Sequence, residues 1–406
     1  MKILLSAYAC EPNKGSEPEV GWRWAITLSK KGHEVYVLTR KNNIKSIQKY
    51  LKYKSINNLN FIYFDFPNWV VRLIKGKSNA HAYVYMLLWQ IGIFIAVKPY
   101  LKKIKFDLIH HVTFVNFRLP SFLCLFKIPF IFGPVAGGDV IPYQLKENFS
   151  FYASIKEKIR EWHIQLSKYS FLINMTLKNS SRIFVNSLEC KKKIPTKYQG
   201  KTKILLAIAT HTKLKKNYVI KNKSNFFNIC FAGNLIDIKG VHILIKSFLL
   251  IRKKNKNVFL NIIGNGNQKR FIKRIAEEGK VEKYINWHGK LKQKELFKIF
   301  KKSNLLFFPA LRDSGGMVIL EAMSYGLPAA VLNVAGPGQI VDKNCGIIID
   351  VKNKSEDYLV KQFANQITEL VVNKKKFLKK SKNAYEKVKR MNWNNKIDKI
   401  YNNLEI

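Results

Sequence analysis

Short apolar runs alternate with helix-like stretches along this chain, and they do so in two consecutive series. In the first half the strand-like runs are 3–8, 34–39, 60–65, 108–112, 130–132, 182–186 and 203–208; in the second they are 227–232, 258–263, 284–287, 305–308, 329–332 and 345–350. Strands separated by a helix's length of chain predict parallel pairing in doubly wound sheets. Two such series, in a chain of 406 residues, predict two Rossmann-like α/β domains facing a cleft. The expected boundaries are 1–208 for the first domain and 227–385 for the second. The polar, Lys-rich stretch 209–226 is the expected linker, and 386–406 is a terminal helix free to pack back on the first domain.

The opening residues form one βαβ unit. Ile3–Tyr8 reads as a buried strand, and Ser16-Glu-Pro-Glu19 then opens a helix in capping-box style, with Gly32 as its stop. The start MKILLSAYAC superficially resembles a short lipoprotein leader, but its apolar run is short and only one Lys precedes it. A first strand is the better reading. A connection this short leaves the Gly15 loop at the strand's C-terminal end, where open α/β sheets bind ligands.

In the second series, Leu305–Phe308 runs into a loop with Gly315 and Gly316, and a helix beginning near Met317 stops at Gly326. Its unsatisfied amides and dipole suit a diphosphate. Asp313 precedes that helix and Glu321 lies one turn inside it. A carboxylate there can accept bonds from a ribose diol. On spacing alone, the two acids read equally as a cap and a solvated helix residue.

Charge and cysteine content bound the partners. Lys and Arg number 72 against 26 Asp and Glu, a net charge of +46. Attraction to an anionic membrane surface and A/T-biased codon usage both account for it. Nucleic acid is not expected, because only eleven of the basic residues are Arg and no basic run interleaves aromatics. The five scattered cysteines form neither a disulfide framework nor a zinc set, and they fit a reducing cytoplasm. The apolar stretch 83–97 is short for a span and broken by Gln90. It reads either as a surface-lying amphipathic helix backed by Lys98, Lys102, Lys103 and Lys105, or as a helix covering the first sheet.

The block Asp313-Ser-Gly-Gly-Met-Val-Ile-Leu-Glu321-Ala-Met-Ser-Tyr-Gly-Leu-Pro328 resembles the acidic-x7-Glu signature of the family-4 retaining glycosyltransferases of GT-B fold. Gly-Asn-Leu-Ile-Asp-Ile-Lys239-Gly240, Ile-Ile-Gly264-Asn-Gly266 and Tyr284-Ile-Asn-Trp-His-Gly289 are similar to that family as well. Cys10 to Trp24, Trp89-Gln90, His110-His-Val-Thr-Phe and Phe132-Gly-Pro-Val-Ala-Gly-Gly138 resemble a bacterial polysaccharide-synthesis branch of it. The resemblance implies transfer of a hexose from a UDP- or GDP-linked sugar to a saccharide or polyprenyl-linked acceptor, with retention, on the cytoplasmic side and peripheral to the membrane. Glu321 would hold the ribose, while Gly315, Gly316, Met317 and Val318 would surround sugar and phosphates. Lys239 would pair with the diphosphate, and Gly15 and Ser16 would approach it from the other domain. Asp313 and His110 would act at the reacting sugar, with His111, Gly137 and Gly138 on the acceptor side; a structural histidine bonded to backbone, and a plain tight turn at 132–138, are the alternatives.

Two positions depart from the pattern. Asp313 stands where the family usually has Glu, one methylene longer, and Asn234 stands where it usually has an Arg that contacts the diphosphate. No Asp-x-Asp triplet occurs, so neither a metal nor a cofactor is expected. An epimerase or hydrolase of the same fold, and a basic membrane- or nucleic-acid-binding module with a vestigial site, are the alternatives.

Overall fold

The computed structural model describes residues 1–74, 79–210 and 226–402. The chain divides into two compact units. One comprises Met1–Gly138, Trp162–Ala207 and Trp393–Ile406, and the other Asp139–Glu161 with Ile208–Asn392. Most of the expected linker, 211–225, lies outside the described residues.

The first unit is a seven-stranded sheet made of β1 (Lys2–Ala7), β2 (Glu34–Thr39), β3 (Leu59–Tyr63), β4 (Leu108–Thr113), β5 (Phe130–Val135), β6 (Arg182–Val185) and β7 (Thr202–Ile204). Its order is β3-β2-β1-β4-β5-β6-β7 and every pairing is parallel. The central strands are buried on both faces, as an all-parallel sheet demands. Helix Ser16–Lys30 follows β1, but its N-cap is Gly15 and no side chain caps it. The expected capping box is absent because Ser16 sits at a positive φ and the Glu19 carboxylate turns to Arg23, 2.5 Å away.

Helix Asn79–Ala96 carries the apolar stretch that sequence left between membrane surface and sheet cover. The segment Tyr83–Lys103 is long and apolar enough to cross a membrane by composition alone. Tyr85, Trp89, Ile93 and Val97, however, recur at helical spacing and are buried in one core with Leu4, Leu38 and Ile109. The sheet-covering reading holds for that face. The terminal helix Trp393–Tyr401 packs with helix Ser16–Lys30, setting Trp393 and Tyr401 beside Trp24.

The second unit repeats the topology with six strands: β8 (Phe227–Ala232), β9 (Val258–Ile263), β10 (Ile285–Gly289), β11 (Leu305–Phe308), β12 (Ala329–Leu332) and β13 (Gly346–Ile349). The order β10-β9-β8-β11-β12-β13 reverses direction between β8 and β11. That gap is the topological switch point at which such sheets bind ligands, beyond the strands' C-terminal ends.

The expected first domain ran unbroken from 1 to 208, whereas Asp139–Glu161 belongs to the second unit. Polar bonds explain the exchange. Asn148 donates to Glu356 (2.6 Å), the Ser150 amide donates to Asp237 (3.1 Å), and the Arg312 guanidinium forks onto the Glu157 carboxylate. Glu157 is 3% exposed, so Arg312→Ala would strand a buried charge. Such losses cost about 3–5 kcal/mol. Denaturant unfolding should show that drop, and the double variant Arg312→Met/Glu157→Leu should recover most of it.

Candidate active site

The loops after β8 and β11 converge at the switch point of the second unit. After β8 the chain makes a 3-10 turn, Asp237–Lys239, and passes through Gly240 at φ 63°. A Cβ on Gly240 would lie 2.0 Å from the Pro309 carbonyl oxygen, so only glycine lets the two loops close. That contact delivers Lys239 to the segment that follows β11. Its Nζ donates to Asp313 Oδ2 at 2.5 Å. Asp313 Oδ1 accepts the amides of Gly315 (2.9 Å) and Gly316 (2.8 Å). Gly316, in the left-handed region, is the N-cap of helix Met317–Met323. Burial pushes the Asp313 carboxyl up, but Lys239 and the two amides outweigh it and hold the group below the usual carboxylate range.

This arrangement sharpens the sequence expectation for Asp313. Both carboxylate oxygens are engaged within the protein, one capping the Gly315–Gly316 turn and the other holding Lys239. The side chain expected to reach a sugar here positions the cation and the amides. Met317 and Val318, the first two helical residues, are half-buried, and their amides have no acceptor within the helix. Glu321 lies about 6 Å further along the axis. Its Oε1 accepts Gln293 Nε2 at 2.9 Å. Burial raises the pKa of Glu321, and the Gln293 bond opposes that shift. Asn234 follows β8 on the exposed surface. Gln293, at the start of a polar Lys-rich helix, carried no sequence signal, and Arg312 gave none beyond its neighbour Asp313.

The first unit places its expected residues differently. Gly15 and Ser16 open helix Ser16–Lys30 at the C-terminal end of β1, both at positive φ. His110 and His111 do not follow the end of β4: the strand runs on to Thr113 and both lie inside it, 0% and 3% exposed. His110 Nδ1 contacts the Tyr401 hydroxyl at 2.5 Å and Nε2 the Gly133 carbonyl oxygen at 2.6 Å. Burial lowers the pKa of His110 to about 3 and that of His111 to about 4. The structure thus places His110 and His111 within the core rather than past a strand end, as a structural histidine bonded to backbone would lie. Neither ring reaches solvent, and both are neutral core groups. The glycines expected on the acceptor side meet close neighbours. A Cβ would come within 2.7 Å of Asn116 Oδ1 at Gly137, and of Cys190 Cα at Gly138.

Cation, free helix amides and a recessed carboxylate at a switch point define an anion- and diol-binding site on a Rossmann-like sheet. Across its described residues the chain has the GT-B fold. It superposes on sucrose-phosphate synthase from Thermosynechococcus elongatus with a TM-score of 0.65 at 15% identity, covering 98% of this chain and 97% of that one. It superposes on Anabaena HepE, a structure containing UDP, with a TM-score of 0.62 at 15% identity and full coverage of both chains. Residues 211–389 match the family model for glycosyl transferases group 1. An uncharacterized glycosyltransferase of Haemophilus influenzae is 27% identical over 159 residues, 38% of this chain and 44% of that protein. The chain spans less than half the length of the first curated relatives it matches. Fold and family match together support a glycosyltransferase.

Proposed function

We propose that this protein transfers a hexose from a nucleoside diphosphate sugar to a saccharide or lipid-linked saccharide acceptor, with retention at the anomeric carbon. The observation that carries the reading is the Lys239–Asp313–Gly316 network at the head of helix Met317–Met323, with Glu321 one turn behind it. A diphosphate would take the Lys239 ammonium and the amides of Met317 and Val318, and Glu321 would accept the ribose diol. Charge develops on the leaving diphosphate as its bond to the anomeric carbon breaks, and Lys239 would offset it. This chemistry calls on no metal or cofactor. The UDP in HepE, similar in fold to this chain, is consistent with such a donor. A lipid-linked acceptor in cell-surface polysaccharide synthesis would bring the protein to the inner membrane face, where its +46 charge favours anionic lipid.

Calorimetry with a panel of UDP- and GDP-sugars tests the donor site. Glu321→Gln keeps the shape but weakens charge-assisted bonding to a diol, so donor affinity should fall about tenfold or more. Unchanged affinity would remove Glu321 from the site. A glycosidic product separates transfer from epimerisation or hydrolysis, which would return an altered or free sugar. If no nucleotide sugar binds, the reading as a transferase fails.

A further inference from the structure

Helix Phe151–Leu166 is built inside out. Three of its five charged residues are engaged by protein: Glu157 pairs with Arg312, Arg160 donates to the Asp139 carbonyl, and Glu161 accepts Lys146. Ile164 enters the core, but the other large apolar residues face solvent. Phe151, Tyr152, Ile155, Ile159, Trp162 and Leu166 are between 41% and 83% exposed. At 3.6 residues per turn these six fall within an arc of about 100°. Exposed Lys156 and Lys158 lie on either side of that arc, while Glu157 is buried and half-buried Glu161 lies outside the arc, paired with Lys146. A continuous apolar strip of this kind on a soluble surface marks an interaction site.

We infer that the outer face of helix Phe151–Leu166 is the membrane-docking surface, lying in the headgroup region of an anionic bilayer. The inference rests on the inner-membrane placement proposed above and assigns it to one element. Composition and charge choose the occupant. Trp, Tyr and Phe favour the lipid–water interface, and lysines flanking an apolar arc that contains no carboxylate match anionic headgroups. Helix Asn79–Ala96 is more apolar in sequence, yet it spends Tyr85, Trp89 and Ile93 on the core.

The test is co-sedimentation of the full chain with phosphatidylcholine vesicles, with and without phosphatidylglycerol, at low and high salt. Wild type should bind the mixed vesicles, more weakly at high salt, and Trp162 should be quenched by brominated lipid. Ile155→Ser/Ile159→Ser/Trp162→Ser should reduce partitioning by at least about tenfold, with circular dichroism and nucleotide-sugar binding unchanged. The control Ile91→Ser/Ile95→Ser should bind like wild type. No binding by wild type would overturn the membrane placement itself. Wild-type binding that survives the triple substitution, or that leaves Trp162 unquenched, would overturn only this assignment. Light scattering that shows a dimer lost in the triple variant would hand the face to a second copy of the chain.

Discussion

Replacing Lys239 with alanine is expected to lower kcat for hexose transfer by about 10²–10³-fold, the usual cost of removing one group that stabilises a developing anion. The cause lies in the Lys239–Asp313 pair. With no anion bound, the ammonium is neutralised by a carboxylate 2.5 Å away, itself fixed by two amides. The pair keeps the cation extended and ready, so a diphosphate has only to share it. Removing Lys239 also leaves Asp313 without the charge that holds its pKa down, and that pKa should then rise. Asp313→Asn separates the two effects. It keeps an oxygen for the Gly315 and Gly316 amides but cancels the pairing, so Lys239 is left to wander. That variant should lose activity with little loss of stability, whereas Asp313→Ala should also destabilise the turn by about 1–2 kcal/mol. Steady-state kinetics alongside thermal melts check both outcomes. A Lys239→Ala enzyme with wild-type kcat would leave the diphosphate to the helix amides alone.

The second-unit site was more legible in sequence than the first. β8, β9, β11 and β12 are observed with the bounds their apolar runs predicted, because strands largely buried on both faces are mostly apolar. The glycines around Lys239 and ahead of Met317 were equally readable, since close backbone approach leaves glycine no substitute. What sequence could not show was that Asp313 and Lys239, separated by 74 positions, meet each other before they meet a ligand. Nor could it show that Asp139–Glu161 is held by Glu356, Asp237 and Arg312 rather than by its neighbours in the chain. Those partners are polar residues in loops and on helix faces, where no periodicity reports contact. His110 was left open between two readings for a related reason. A histidine near a strand's end reads as functional by resemblance and as structural by itself, and its burial beside Tyr401, far along the chain, is not written in the local sequence.

His110→Ala should accordingly impair folding rather than chemistry. The ring is fully buried, its two nitrogens meet the Tyr401 hydroxyl and the Gly133 carbonyl, and Trp24 packs edge-on at 5.1 Å. Truncation removes both bonds and opens a cavity, and together these cost about 3–5 kcal/mol. A catalytic histidine would give the opposite pattern, normal stability with kcat reduced by about 10²–10⁴. Stability against pH gives a second readout. His110 titrates near 3 when folded and near 6.5 when unfolded, so its contribution is complete above the unfolded value and shrinks as pH falls. Between pH 6.5 and about pH 5 the loss is about 2 kcal/mol. His111, with a folded pKa of about 4, loses a similar amount. Glu17 acts in the other direction. Burial raises its pKa to about 7, so the folded state takes up its proton first and gains about 2 kcal/mol over the same window. His110 and His111 together outweigh Glu17, and His110→Ala should make stability fall less steeply towards the lower pH. A slope unchanged in the variant would mean that His110 is not held neutral in the core. Full stability paired with a collapsed kcat would restore it to the reacting sugar.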